Sequence, residues 1–339
     1  MCRKVECSAC GKASWKGCGQ HIETALAGVP DEERCPGWRT GICVGPPAPA
    51  PAAAPAAAPA APAAGPSPEE QLAQYEEQQR EIQEQQNSAA MIGEVEPCSA
   101  LLDVYLLNPQ PGFAQGINNY LSRVFSGIRR VRGDGNCFYR AFLFAYLESI
   151  IATEQGSGAE LARFKAAIVA SKNELVAVGY EEMAIETFYD MMLELLDKVA
   201  AGMTAAELFA AFQEESGESD YWVWYMRLMT ACALKRDAPR FEPFIPDAAC
   251  ADIGEFCAKC VEPMKTECEH LQILALSEYV GVRVQIHYLD GKPCGEGESL
   301  VVHKFPSEGE GEGQGEGQGG QPCVHLLYRP GHYDILVVA

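Results

Sequence analysis

The chain is short of positive charge, of long apolar runs and of an apolar leader, and each shortage removes a class of function. Lys plus Arg number 26 against 47 Asp plus Glu, a formal net charge of −21 over 339 residues. A surface of that sign repels phosphate backbones, so nucleic acid is excluded as a main partner and a basic protein or peptide tail is the better electrostatic match. No stretch of about 18 apolar residues occurs, so no helix is expected to span a membrane. Cys2, Arg3 and Lys4 lead into no hydrophobic region, and a secretory signal is not expected. The 15 cysteines are therefore read as reduced thiols and metal ligands of a cytoplasmic or nuclear protein. Their odd number leaves one unpaired in any fully oxidised scheme.

What is present suits a globular protein: 47% of residues are hydrophobic, enough for a sizeable core. Composition divides the chain into zones. Residues 1–45 are rich in Cys, Gly and Trp. There Cys7-x2-Cys10, followed by Cys18-x2-His21 and by Cys35, has the ligand types and knuckle spacing of a structural zinc site. Cys7 and Cys10 are the first pair, while Cys18, His21 and Cys35 compete for the remaining places. The alternative is a tail of unligated cysteines. Residues 46–68 are almost wholly Pro and Ala, a polyproline-type linker able to span on the order of 70 Å. Residues 69–87 form a charged arm with a thin apolar stripe of Leu72, Tyr75 and Ile82. It is either a solvated helix or a segment that orders on a partner.

Residues 88–339 hold the main domain. Helical periodicity marks 117–126, 137–152, 159–176, 184–199, 204–213, 220–234 and 268–280, and strand patterns gather late, at 282–288, 300–303, 324–328 and 332–338. Helices first and strands last predict an α+β fold with an antiparallel sheet. A Gly/Glu/Gln-rich stretch, 308–321, can bury nothing and is expected to be a disordered loop.

The chemistry is carried by two short segments. In Gly133-Asp134-Gly135-Asn136-Cys137-Phe138-Tyr139-Arg140-Ala141-Phe142, a glycine-rich turn becomes a helix with one face toward the core, and a cysteine sits in its first turn. Free N–H groups and the positive end of the helix dipole favour a thiolate there, and the same groups can hold an oxyanion. In Arg329-Pro330-Gly331-His332-Tyr333-Asp334, a turn feeds a strand that opens with histidine. His332 and Asp334, two residues apart, share a face, so the carboxylate can orient the imidazole. The other reading of Cys137 is a buried structural cysteine, and of Asp334 an ordinary strand acid. Asp134 can cap the helix, shape the turn or offer its backbone N–H to the oxyanion, with Gly135 and Asn136 shaping the loop. Together Cys, His and Asp read as a cysteine hydrolase.

Gly133 to Phe142 and Leu326 to Leu336 resemble the two catalytic blocks of the otubains, the ovarian-tumour-type deubiquitinating cysteine proteases of peptidase family C65. The intervening Tyr225 to Thr230, Phe241 to Ile245, Glu255 to Cys257 and Val261 to His270 resemble that family's middle blocks in order. The resemblance covers roughly residues 69 to 339. It implies a papain-like arrangement, with helix-borne Cys137 as nucleophile, strand-borne His332 as base, and Asp334 and Asp134 counted with the site. It also implies no cofactor for catalysis, and ubiquitin and polyubiquitin as substrates. A further implied partner is a ubiquitin-conjugating enzyme restrained without cleavage. The zone from Phe241 to Tyr288 corresponds to the part that contacts ubiquitin. Phe241, Phe244, Ile245, His287 and Tyr288 are the candidates, with core packing as the alternative for the first three. Cys257 and Cys260 repeat the knuckle spacing, but they lie in a helical block of the resemblance and are read as incidental.

Overall fold

The computed structural model describes residues 2–7, 10–16, 22–39, 43, 89–106, 108, 110–153, 158–214, 217–245, 250–306 and 323–338. The Pro/Ala linker, the charged arm, the Gly/Glu-rich loop, Cys18 and His21 lie outside them. The chain divides into two compact units, Met1–Ala89 with Tyr105–Gln110, and Ala90–Val104 with Pro111–Ala339.

In the first unit, β1 (Arg3–Glu6) and β2 (Ala13–Lys16) form an antiparallel pair, followed by a helical turn, Ile22–Ala25. Between the strands the Gly11 amide donates to the Cys7 carbonyl at 2.8 Å, with Gly11 at φ +69°. Leu26, Cys35 and Trp38 are buried together, and Trp15 Nε1 donates to the Trp38 carbonyl at 2.6 Å.

In the second unit a six-stranded sheet carries the elements in the order β3 (Ile92–Glu96), β4 (Gly127–Val131), β8 (His332–Val337), β7 (Cys323–Arg329), β5 (Arg283–Tyr288), β6 (Val301–Phe305). Every pairing is antiparallel except β5 with β7. The expected sheet is thus largely antiparallel, with one parallel seam and with two strands, β3 and β4, that periodicity did not mark. β4 is Gly-Ile-Arg-Arg-Val, and its adjacent arginines hide the strand in the sequence. Arg129 reaches Glu148 and Arg130 pairs with Glu96, so the strand forms with its charges neutralised.

The helices fall close to the expected ranges. The longer ones are α1 (Cys137–Thr153), α2 (Ala159–Ala177), α3 (Glu182–Ala200), α4 (Ala205–Gln213), α5 (Glu218–Arg236) and α6 (His270–Val280), and a helical run with a π segment fills Pro111–Val124. α4 starts with a capping box: the Glu207 amide donates to Thr204 Oγ1 and the Thr204 amide to Glu207 Oε2.

α1 differs from expectation. The sequence predicts one core-directed face, whereas Phe138, Tyr139, Arg140, Ala141, Phe142, Leu143, Phe144, Tyr146 and Leu147 are all buried. The helix packs on β7 and β8 on one side and between α4 and α5 on others, so it has no solvent stripe along its first turns. Helices α2, α3 and α5 complete the same core. α1 begins beside the hairpin β7–β8, whose two-residue turn, Pro330-Gly331, has Gly331 at φ +76°. That turn sets Arg329 directly opposite His332 in register.

Candidate active site

Cys137 is the first residue of α1 and is 5% exposed. The loop before it is fixed by buried charge. Asp134 Oδ1 accepts from the Asn136 amide at 2.9 Å, and both carboxylate oxygens receive the Arg140 guanidinium at 2.9 Å. Arg140 is fully buried and reaches Asp220 at 3.2 Å on its other side. Burial would raise the Asp134 acid, but Arg140 and the Asn136 amide outweigh it and hold the group below its ordinary value. The Asp134 side chain is therefore committed to shaping the turn.

A second buried cation braces the same loop. Arg227, on α5, donates to the carbonyls of Gly135 (2.8 Å), Val261 (2.9 Å) and Thr266 (2.7 Å) and to Asn136 Oδ1 (2.8 Å). Its guanidinium lies 4.6 Å from the Tyr139 ring centroid. Asn136 Oδ1 also accepts from the Lys265 amide at 2.9 Å. Gly135 is at φ +80°, and a Cβ there would meet the Lys265 carbonyl oxygen at 2.2 Å. Only glycine fits.

His332 and Asp334 meet as their spacing predicts. His332 Nε2 lies 2.9 Å from Asp334 Oδ1. The other nitrogen, Nδ1, faces the glycine turn, 3.5 Å from where a Cβ on Gly133 would stand, and the imidazole interacts with the Cys137 side chain. Asp334 is 0% exposed. Its Oδ1 also accepts from the Val131 amide at 3.0 Å, and its Oδ2 receives Arg329 Nε at 2.7 Å and Nη2 at 2.6 Å. Burial pushes the Asp334 acid up. The Arg329 charge, then that of His332 and the Val131 amide, reverse this and hold it well below the usual carboxylate range. Burial lowers the His332 imidazolium, but Asp334 and Cys137 outweigh it and push the group up to about 9. The carboxylate and the sulfur on either side of the ring thus both favour its protonated form.

Cys137 opens on a cleft of about 600 Å³ lined also by Phe241, Phe244, Cys268, His270 and Tyr288. Phe244 is 70% exposed on it, whereas Phe241 lines it from a mostly buried position. Two expected contacts do not reach it. Ile245 is buried in a cluster with Phe241, Cys257 and Val261. His287 is buried on the other face of β5, 4.9 Å from the Phe125 ring and 3.1 Å from the Tyr120 hydroxyl. Neighbouring strand residues point to opposite faces, so Tyr288 on the cleft places His287 away from it.

Sequence reasoning missed Arg140, Arg227 and Arg329. The first two stand inside nearly unbroken apolar runs, a pattern that signals a buried charge seeking a partner. Arg329 and His332 flank a two-residue turn, which makes them cross-strand neighbours. In the first unit the sulfurs of Cys7, Cys10, Cys35 and Cys43 all lie within 4.8 Å of one another. Cys43, unexpected, joins three of the expected ligands. Cys10 and Cys18 are separated by the same seven residues as Cys35 and Cys43, so spacing alone could not choose.

Comparison with known proteins fits this geometry. Residues 84–338 match the family model described as Peptidase C65 Otubain. The chain belongs to the otubain family. Among relatives, the human protein named ubiquitin thioesterase OTUB1 is 41% identical over 216 residues, covering 64% of this chain and 72% of that one. An Arabidopsis thaliana protein named ovarian tumor domain-containing deubiquitinating enzyme 1 is 36% identical over 248 residues, 72% of this chain and 80% of that one. A solved otubain, titled as ceOTUB1 in complex with ubiquitin aldehyde and UBC13~Ub, superposes with a TM-score of 0.67 at 29% identity over 78% of this chain and 99% of that chain. Residues 1–51 match a model described as a domain of unknown function (DUF8730).

The turn geometry makes a direct prediction. Gly135→Ala forces a side chain onto a positive φ and against the Lys265 carbonyl, and lowers the free energy of unfolding by about 1–3 kcal/mol. Urea unfolding measures this, and a variant as stable as the parent would contradict the packing described.

Proposed function

We propose that this chain is a deubiquitinating thiol protease that hydrolyses isopeptide bonds at the C-terminus of ubiquitin. One observation carries the reading: Cys137, at the head of a buried helix, faces an imidazole whose far nitrogen is held by a fully buried carboxylate. Membership of the otubain family and the names of the relatives support ubiquitin as the substrate.

The proposed cycle follows from the atoms. The Cys137 thiolate attacks the isopeptide carbonyl carbon, and negative charge develops on the carbonyl oxygen. Backbone N–H groups of Cys137 and Asp134 receive that charge, with Gly135 and Asn136 shaping the turn that aims them. A single donor of this type contributes a factor of about 10²–10³ in kcat. His332, protonated, gives its proton to the departing lysine amine, so the C–N bond breaks and a thioester remains. His332 then takes a proton from water, whose oxygen attacks the thioester and releases Cys137. Asp334 holds the ring orientation throughout without accepting the proton. Because the amine leaves with the His332 proton, turnover falls as pH rises through about 9, the direction set by the raised imidazole. The exposed Phe244 and the half-buried Tyr288 supply apolar walls for the incoming tail.

A second reading, restraint of a ubiquitin-conjugating enzyme by occupancy, is favoured by solved relatives titled as complexes with UBC13~Ub and UBCH5B~Ub. It is compatible with catalysis.

For the first unit we infer a structural zinc held by Cys7, Cys10, Cys35 and Cys43. Zinc–thiolate bonds of about 2.3 Å in a tetrahedron place sulfurs just under 4 Å apart, and the observed spread fits. A reducing compartment, cytoplasmic or nuclear, suits both the zinc thiolates and a thiol nucleophile.

Two results test these readings. Cys137→Ala abolishes diubiquitin cleavage while ubiquitin binding persists; unchanged cleavage refutes the nucleophile. Metal analysis of the purified chain finds zinc bound, and Cys43→Ser loses it; zinc content unaffected by that change removes Cys43 from the ligand set.

A further inference from the structure

The Asp334 carboxylate has two oxygens, and the structure divides them between two tasks. Oδ1 takes His332 Nε2 at 2.9 Å and the Val131 amide at 3.0 Å. Oδ2 takes Arg329 twice, through Nε at 2.7 Å and Nη2 at 2.6 Å. We propose that Arg329 is a positioning residue of the active site: by holding Oδ2 it fixes the rotation of the Asp334 carboxylate, so that Oδ1 and no other acceptor orients the imidazole toward Cys137. This rests on the reading of Cys137, His332 and Asp334 as the catalytic set.

Three features argue for a role beyond burying an ion pair. Asp334 is wholly buried, so the guanidinium, and not solvent, is what satisfies Oδ2. A lone buried carboxylate is destabilised and gains a proton, and a protonated Asp334 no longer holds an imidazolium. Arg329 and His332 are direct cross-strand partners joined by a two-residue turn, so the guanidinium and the imidazole move as one rigid hairpin. Finally, both donor atoms go to the oxygen that His332 does not use. A fork of fixed planar geometry selects an orientation; a lysine ammonium, a point charge on a flexible stem, supplies charge with less direction.

A double-mutant cycle separates positioning from general stability. In the full chain, Arg329→Gln lowers kcat for diubiquitin cleavage by about tenfold to a hundredfold, the scale of a misplaced catalytic group, with KM changed less. Arg329→Lys recovers part of the loss. In an Asp334→Asn background the same Arg329→Gln change costs nothing further, because the group it acts through is already lost. Equal losses in both backgrounds, or parental kcat in Arg329→Gln, would overturn the proposal. Should Arg329→Gln fail to fold, Arg329→Lys replaces it in the cycle. A parallel readout needs no ubiquitin: the rate at which iodoacetamide alkylates Cys137 at neutral pH, followed by peptide mass spectrometry. Slowing by Arg329→Gln in the parent but not beside Asp334→Asn supports the proposal even if the parent cleaves no ubiquitin chain. Alkylation at the parental rate in every variant refutes it and leaves the substrate assignment untouched.

Discussion

A carboxylate with no access to water lies at the junction of three strands, and the active site is organised around it. Stripping the hydration from Asp334 is costly, by several kcal/mol for an ion of this kind, unless charge and hydrogen bonds replace the water. The replacements arrive from separate strands: the Val131 amide at the end of β4, Arg329 at the end of β7 and His332 at the start of β8. Once buried, Asp334 stays ionised because the closed sheet brings these partners to it, and its charge in turn favours the proton on His332. Folding and chemistry are thus one constraint. It is electrostatic in origin but met by strand register.

The nucleophile's side is built by the same logic with the signs reversed. Arg140 and Arg227 are buried cations that gather the polar backbone of residues 134–136, one through a carboxylate and the other through carbonyls and the Tyr139 ring. The loop has no side-chain freedom left to spend on other conformations, and glycine at 135 allows the close approach of the 265 carbonyl. A helix buried on nearly every side then keeps Cys137 at a fixed height above the hairpin. Rigid support of both partners is what a near-attack geometry requires.

Much of this was legible in the chain. Period-two spacing placed His332 and Asp334 on one face, and a cysteine after a Gly-x-Gly turn announced the helix start. Helix ranges followed from apolar periodicity. The strands β3 and β4 were hidden because their charged residues are neutralised by partners distant in sequence, and no local pattern records a salt bridge. His287 and Ile245 looked available because sequence shows residue type but not the face of the strand or the depth of the cluster. The guanidinium braces were missed for a related reason: a charge inside an apolar run signals burial without naming its partner. Cys43 stands alone in the sequence, eight residues after Cys35 and without a second ligand at knuckle spacing, so no local pattern marks it.

Direct titration of His332 by NMR in the intact chain, assigned by its loss in His332→Gln, is the most direct test of the central claim. The group's folded value is raised above its ordinary 6.5, so its stabilising contribution is complete below that pH and is lost as pH rises through about 9. The midpoint is expected near 9. A midpoint at or below 6.5 would mean that Asp334 does not hold an imidazolium against Cys137, and the proposed chemistry would fail.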